Sequence, residues 1–255
     1  MVFNSCEKKS FEKNVIMNKN ALLALCVVIF LPLVSYLMVK HYSDDAVIMP
    51  SRYYVDSVAT KITDGKETSD TIWHKVENIT LTNQLGTQVS LNGLKDKVII
   101  ADFFFTRCPS ICPTLTRNMK KLQDALKIKD ELRGIDSSFI QFLSFTVDPD
   151  RDSARVLKRY GDRFGVNPDI WWLLTGPKKT IYDFAINELK LGLTDGGNVD
   201  SNFIHTSKFV LLDKDRIVRG YYDGLDSLAL NKLAGDLIFI MLEKDKKKKR
   251  DLFRK

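Results

Sequence analysis

The chain has 255 residues, 44% of them hydrophobic, enough for one folded domain and a separate apolar segment. Its net charge of +7 sits at the two ends: residues 1–42 hold five lysines against two glutamates, and residues 243–255 hold eight basic residues against three acids. The body between them is close to neutral, which excludes the basic face a nucleic-acid ligand needs, and of the four cysteines only Cys108 and Cys112 fall in that body, a single close pair that makes no disulfide-built scaffold.

Residues 1–20 read as a cytoplasmic N-terminus and residues 21–40 as a transmembrane anchor. Ala21–Val39 carries no charge, which is long enough to span a bilayer as a helix, and a membrane helix tolerates Pro32. Lys8, Lys9, Lys13 and Lys19 precede the run and Asp44 and Asp45 follow it, so the positive-inside bias exports everything after it. No small-x-small cleavage site lies near Val39, and Leu25 is too large for a lipoprotein site at Cys26. The first 50 residues contain no arginine but include Glu7 and Glu12, unlike a mitochondrial import signal. The expected location is a bacterial inner membrane, single-pass, with the domain facing the periplasm; the mitochondrial intermembrane space is the alternative. Residues 41–72, polar and with Pro50 and Gly65, read as an irregular tether.

Residues 73–242 read as the folded body. Val76–Thr82 and Gln88–Leu91 alternate as strands around a turn at Gln84–Thr87. Val98–Phe105 is an apolar, aromatic run expected to be a buried strand. A helix is expected over 114–129, with Leu115, Met119, Leu122 and Leu126 on one face. Phe139–Val147 is a second buried strand, closed by Asp148-Pro149, and Asp152 or Ser153 is expected to cap a helix running to Phe164. Trp171–Leu174 is a short strand and Lys178–Glu188 a helix. Ser207–Leu212 and Arg216–Tyr221 form a hairpin, and Ser227–Leu242 is the last helix. Residues 243–255 are a basic tail, expected to be solvated and disordered. Strands alternating with helices and then closing with a hairpin and a helix predict an α/β sandwich with a mixed sheet. The cysteine position makes it thioredoxin-like, with the hairpin at 76–91 as an N-terminal addition.

Cys108 and Cys112 stand where the first buried strand hands over to a helix, each followed by proline. Unpaired N–H groups and the positive end of the helix dipole favour thiolate there, and Pro113 fits the first helical turn. A bridge across so few residues stabilises little, so the pair is chemical rather than structural. Cys6 and Cys26 fall in the cytoplasmic and membrane segments. His205 is the only histidine after the cysteines. In a thioredoxin-like sheet its loop lies beside the helix start, where thioredoxins carry a cis-proline; Asn202–Ser207 contains no proline. Asp148 and Asp152 read as turn and cap residues, Trp73, Trp171 and Trp172 as core, and His74 has no partner pattern.

Phe105-Thr106-Arg107-Cys108-Pro109-Ser110-Ile111-Cys112-Pro113 resembles the cysteine motif of the Sco/SenC family of copper-delivery proteins. Phe145–Asp152 resembles that family's second signature, and His205 before a strand ending Leu212-Asp213-Lys214-Asp215 its third. The family commonly has Asp before the histidine; here Ile204 takes that place, with Asp200 the nearest acid. The resemblance implies that Cys108, Cys112 and His205 bind copper. It also implies a copper chaperone for the binuclear copper site of a cytochrome oxidase, with an upstream copper donor. The donor set agrees: two soft thiolates and an imidazole suit Cu(I), with Cu(II) also open, whereas structural zinc asks for a fourth ligand. A thiol–disulfide reductase that keeps the client's cysteines reduced, or a redox or copper sensor, are the alternatives.

Overall fold

A computed structural model of the chain describes residues 19–45, 49–63, 66–133, 139–191 and 206–252. His205 and Asp200 lie outside the described residues. The chain divides into two compact units, Met1–Ile48 and Met49–Lys255.

Among the described residues the first unit holds one helix, α1 (Lys19–Asp45), of 27 residues with Pro32 inside it. Ser35 Oγ donates to Pro32 O at 3.0 Å. Its described apolar side chains, among them Val28, Leu31 and Val39, are exposed. Among the described residues no helix is long and apolar enough to cross a membrane.

The second unit is built on a seven-stranded mixed sheet. Its strands are β3 (Thr80–Asn83), β4 (Gln88–Ser90), β5 (Val98–Phe104), β6 (Ile140–Thr146), β7 (Trp171–Thr175), β8 (Lys208–Leu212) and β9 (Val218–Asp223), in the order β4-β3-β7-β6-β5-β8-β9. β5, β6 and β7 run parallel, and the β3–β4 and β8–β9 hairpins add antiparallel edges. This is the expected thioredoxin-like α/β arrangement, with the 76–91 hairpin joined to the sheet through β3 and β7.

Two-residue alternation along β5 sorts its side chains between two cores. Ile99, Ala101 and Phe103 face a core completed by Val76, Ile79, Leu91 and α4 (Lys178–Asp183). The turn that continues α4, Phe184–Glu188, has wider π-type winding. Val98, Ile100 and Phe104 face the other core, under α2 (Cys112–Arg133), α3 (Ala154–Phe164) and α5 (Ser227–Leu252). Both central strands are buried along their whole length, as parallel strands covered on two faces must be.

Three expectations change. The stretch read as an irregular tether contains an antiparallel hairpin, β1 (Val55–Thr63) with β2 (Lys66–Trp73). Its Val, Ile and Thr residues favour strand, but the charges among them hide any apolar alternation. The last helix continues through Leu252 into the basic tail, because lysine, arginine and glutamate are good helix formers. Finally, α3 begins after Ser153 with no side-chain cap; Asp152 is engaged elsewhere.

Candidate metal centre

β5 ends at Phe104, and the next residues turn across the C-terminal edge of the sheet. Cys108 N–H donates to Phe105 O at 3.2 Å, closing a tight turn that brings Cys108 over the start of α2. Cys112 opens that helix, and its N–H, an orphan donor of the first turn, points at Cys108 Sγ at 3.4 Å. Ser110 Oγ lies 3.8 Å from the same sulfur. Both cysteines are free and buried. Leu115 and Met119, one and two turns into α2, are sunk in the core below. Gly224 abuts the helix so closely that a Cβ there would lie 2.5 Å from Leu115 Cδ2, and Asn118 Nδ2 donates to Gly224 O at 2.8 Å. The helix carrying Cys112 is thus fixed to the sheet from below and from the β9 end.

The two thiols differ. Burial raises the Cys108 pKa, but hydrogen bonds from Cys112, from the backbone at Cys112 and Ser110, and from the Ser110 hydroxyl outweigh it, and the net shift is downward. Burial pushes Cys112 up to about 12, with its hydrogen bond to Cys108 adding to the rise. Of the two sulfurs, Cys108 is the one that loses its proton more readily, the asymmetry that nucleophilic exchange uses. A metal ion at the pair has to displace the Cys112 proton.

Two acids absent from the expected site stand close to it. Asp102, 2% exposed, lies on the β5 face shared with Ile100 and Phe104, opposite Ser144 of β6. Its Oδ1 makes no hydrogen bond among the described residues. Burial raises its pKa to about 7, with Ser144 pulling the other way. The signal available in the sequence was a lone charge inside a buried apolar run. Asp152, expected as a cap, accepts three hydrogen bonds: Thr106 N–H (3.0 Å) and Thr106 Oγ1 from the loop after β5, and Thr146 Oγ1 (2.6 Å) from the end of β6. Among the described residues neither Asp148 nor Asp152 hydrogen-bonds to the sulfurs; Asp148 pairs with Arg151. Tyr160, buried in α3, shares a hydrogen bond with Thr116 Oγ1 (2.8 Å), which donates to Cys112 O.

His205 is outside the described residues, so the geometry joins two of the three expected ligands. Among the described residues no cluster of three or more His, Cys, Asp or Glu side chains forms a metal site. His74, without a partner pattern in the sequence, sits between Asp56 (3.2 Å) and Glu188 (3.5 Å), far along the chain from the cysteines.

The model of the SCO1/SenC family matches residues 69–236. The chain belongs to the SCO1/SenC family. Its relatives include the SCO1 protein homolog of Bacillus subtilis, 33% identical over 174 residues that make up 68% of this chain and 86% of that protein. Another is a candidate copper-binding protein of Stutzerimonas stutzeri, 32% identical over 85 residues, 33% of this chain and 39% of that one. The solved structure of BsSco, a member of the Sco family of cytochrome c oxidase assembly proteins in which a disulfide switch was identified, matches with a TM-score of 0.55 at 31% identity. That match spans 68% of this chain and 96% of BsSco. The matched segment of this SCO1/SenC protein begins inside β2 and takes in both cysteines, the Asp148–Asp152 turn and the position of His205.

Proposed function

We propose that this SCO1/SenC protein is a membrane-anchored copper carrier. It holds Cu(I) between Cys108, Cys112 and His205 and passes it to the binuclear copper site of a cytochrome oxidase. The observation that carries the reading is the unbridged, buried cysteine pair at the start of α2, with the Cys112 N–H aimed at Cys108 Sγ at 3.4 Å. Two soft sulfurs and an imidazole suit Cu(I), and a three-donor set leaves room for a ligand of the receiving protein to enter. Membership of the family supports the oxidase as client, and the name of the Stutzerimonas relative supports copper as cargo. Anchoring rests on the uncharged run Ala21–Val39 and the charges flanking it; an outward-facing domain follows, loaded by an upstream copper donor. The test is transfer: the reduced, Cu(I)-loaded protein is mixed with the metal-free copper-site domain of the oxidase, and copper in each is measured after separation. Copper in the oxidase domain supports delivery; copper that stays with the carrier at equilibrium opposes it.

The opposite pKa shifts of Cys108 and Cys112 favour a second reading, a thiol–disulfide reductase acting on the client's cysteines. The two separate at His205. His205→Ala weakens copper binding in the carrier and leaves disulfide exchange intact in the reductase, since the imidazole does not attack sulfur there.

A further inference from the structure

Asp152 is a buried carboxylate, 1% exposed, for which the proposed chemistry has no use. No ion pair to it occurs among the described residues. Three neutral donors hold it instead: the N–H and O–H of Thr106 and the O–H of Thr146. The start of α3, two residues on, adds the positive end of its dipole. The bonds interlock. Thr146 Oγ1 also accepts from Asp148 N–H at 3.1 Å, and Asp152 N–H donates to Asp148 O at 3.0 Å. One carboxylate therefore joins the loop after β5 to the loop after β6, next to the parallel-ladder bond from Val147 N–H to Phe104 O at 2.8 Å. Burying a carboxylate is expensive, and a neutral side chain closes a loop at lower cost.

What the carboxylate fixes is Thr106, two residues before Cys108 and inside the turn that ends on the Cys108 N–H to Phe105 O bond. If that turn shifts, the sulfur leaves the N–H of Cys112, which it meets at 3.4 Å. We propose that Asp152 is a positioning residue of the cysteine pair. Through Thr106 it holds Cys108 Sγ against the first N–H of α2, and so favours the dithiol over the disulfide and keeps both sulfurs set for copper. The inference rests on the reading of Cys108 and Cys112 as the working pair, and its redox arm needs no copper.

The test uses the full chain in detergent, equilibrated in glutathione buffers. The two thiols give up two electrons and two protons to one glutathione disulfide, which becomes two glutathiones, while Cys108 Sγ and Cys112 Sγ form one S–S bond. Asp152→Asn is expected to shift the dithiol–disulfide constant about tenfold toward disulfide, ~30 mV more negative, and to lower Cu(I) affinity by a similar factor. Thr106→Val, which removes one donor and keeps the shape, is expected to move both in the same direction by less, with no further shift in the double variant. Thr106→Ser is expected to match the wild type. A potential unchanged in Asp152→Asn and Thr106→Val, with stability alone reduced, overturns the proposal and makes Asp152 a loop staple. Should Asp152→Asn fail to fold, Thr106→Val decides by the same criterion. A wild type that binds no copper sinks the carrier reading, while the shifted potential still decides the role of Asp152.

Discussion

Replacing Asp102 by asparagine should stabilise the protein, and only above acid pH. Asp102 is 2% exposed, its Oδ1 is unpartnered among the described residues, and burial lifts its pKa from 3.8 to about 7. Between those values the folded protein keeps a proton that the unfolded chain has lost, so stability falls as pH rises through that window and levels off above it. At 1.36 kcal/mol for each tenfold change in proton affinity, the rise corresponds to ~4 kcal/mol. Asparagine has the same shape and no charge, so Asp102→Asn should lack this slope. Urea unfolding of residues 49–255, a compact unit, kept reduced from about pH 4 to about pH 8, reads the difference from midpoints at unchanged m. Wild type and variant should nearly coincide at the acid end, and the variant should gain steadily until it leads by a few kcal/mol. A gap that does not vary with pH would show instead that Asp102 carries the same charge in the folded and unfolded chains.

Three further outcomes are expected. Leu115→Ala, at a fully buried position below the first turn of α2, should cost ~2–5 kcal/mol in the same unfolding measurement. Binding of Cu(I) should release about one proton or more per ion near neutral pH, because Cys112 with its pKa near 12 must ionise; calorimetry in buffers of different ionisation heat measures it, and no release would remove Cys112 from the ligand set. A reporter active only outside the cytoplasm, fused after Lys255, should be active if Ala21–Val39 anchors the chain N-terminus inside, and an inactive fusion would reverse the topology.

The central strands, the crossover helices and the cysteine turn were legible because burial on both faces leaves an unbroken apolar run, and a helix leaves its own period. β1 and β2 were not: they pair mainly with each other, and Val58 and Ile72 stay exposed, so no buried face imposes a pattern on them. The helical tail was hidden by its charge, which marks solvation and says nothing against winding. At the site, the two cysteines announce themselves by spacing, whereas the work of Asp152 depends on β5 and β6 lying side by side, with Phe104 opposite Thr146. Turn chemistry at Asp148-Pro149 is local and was readable; a hydrogen bond donated to Asp152 by Thr106, 46 positions earlier, was not. Asp102 lay in plain view as a charge within a buried strand, and its pKa needed the structure.

The copper site is tested most directly by a Cu(I) competition titration of the purified, reduced protein, with the Cys108→Ser, Cys112→Ser and His205→Ala variants and the oxidised wild type alongside. One tightly held Cu(I) per reduced chain is expected, with weaker binding in each variant and none when Cys108 and Cys112 are joined as a disulfide. Copper retained at full affinity by the oxidised protein, or by both cysteine variants, would contradict it.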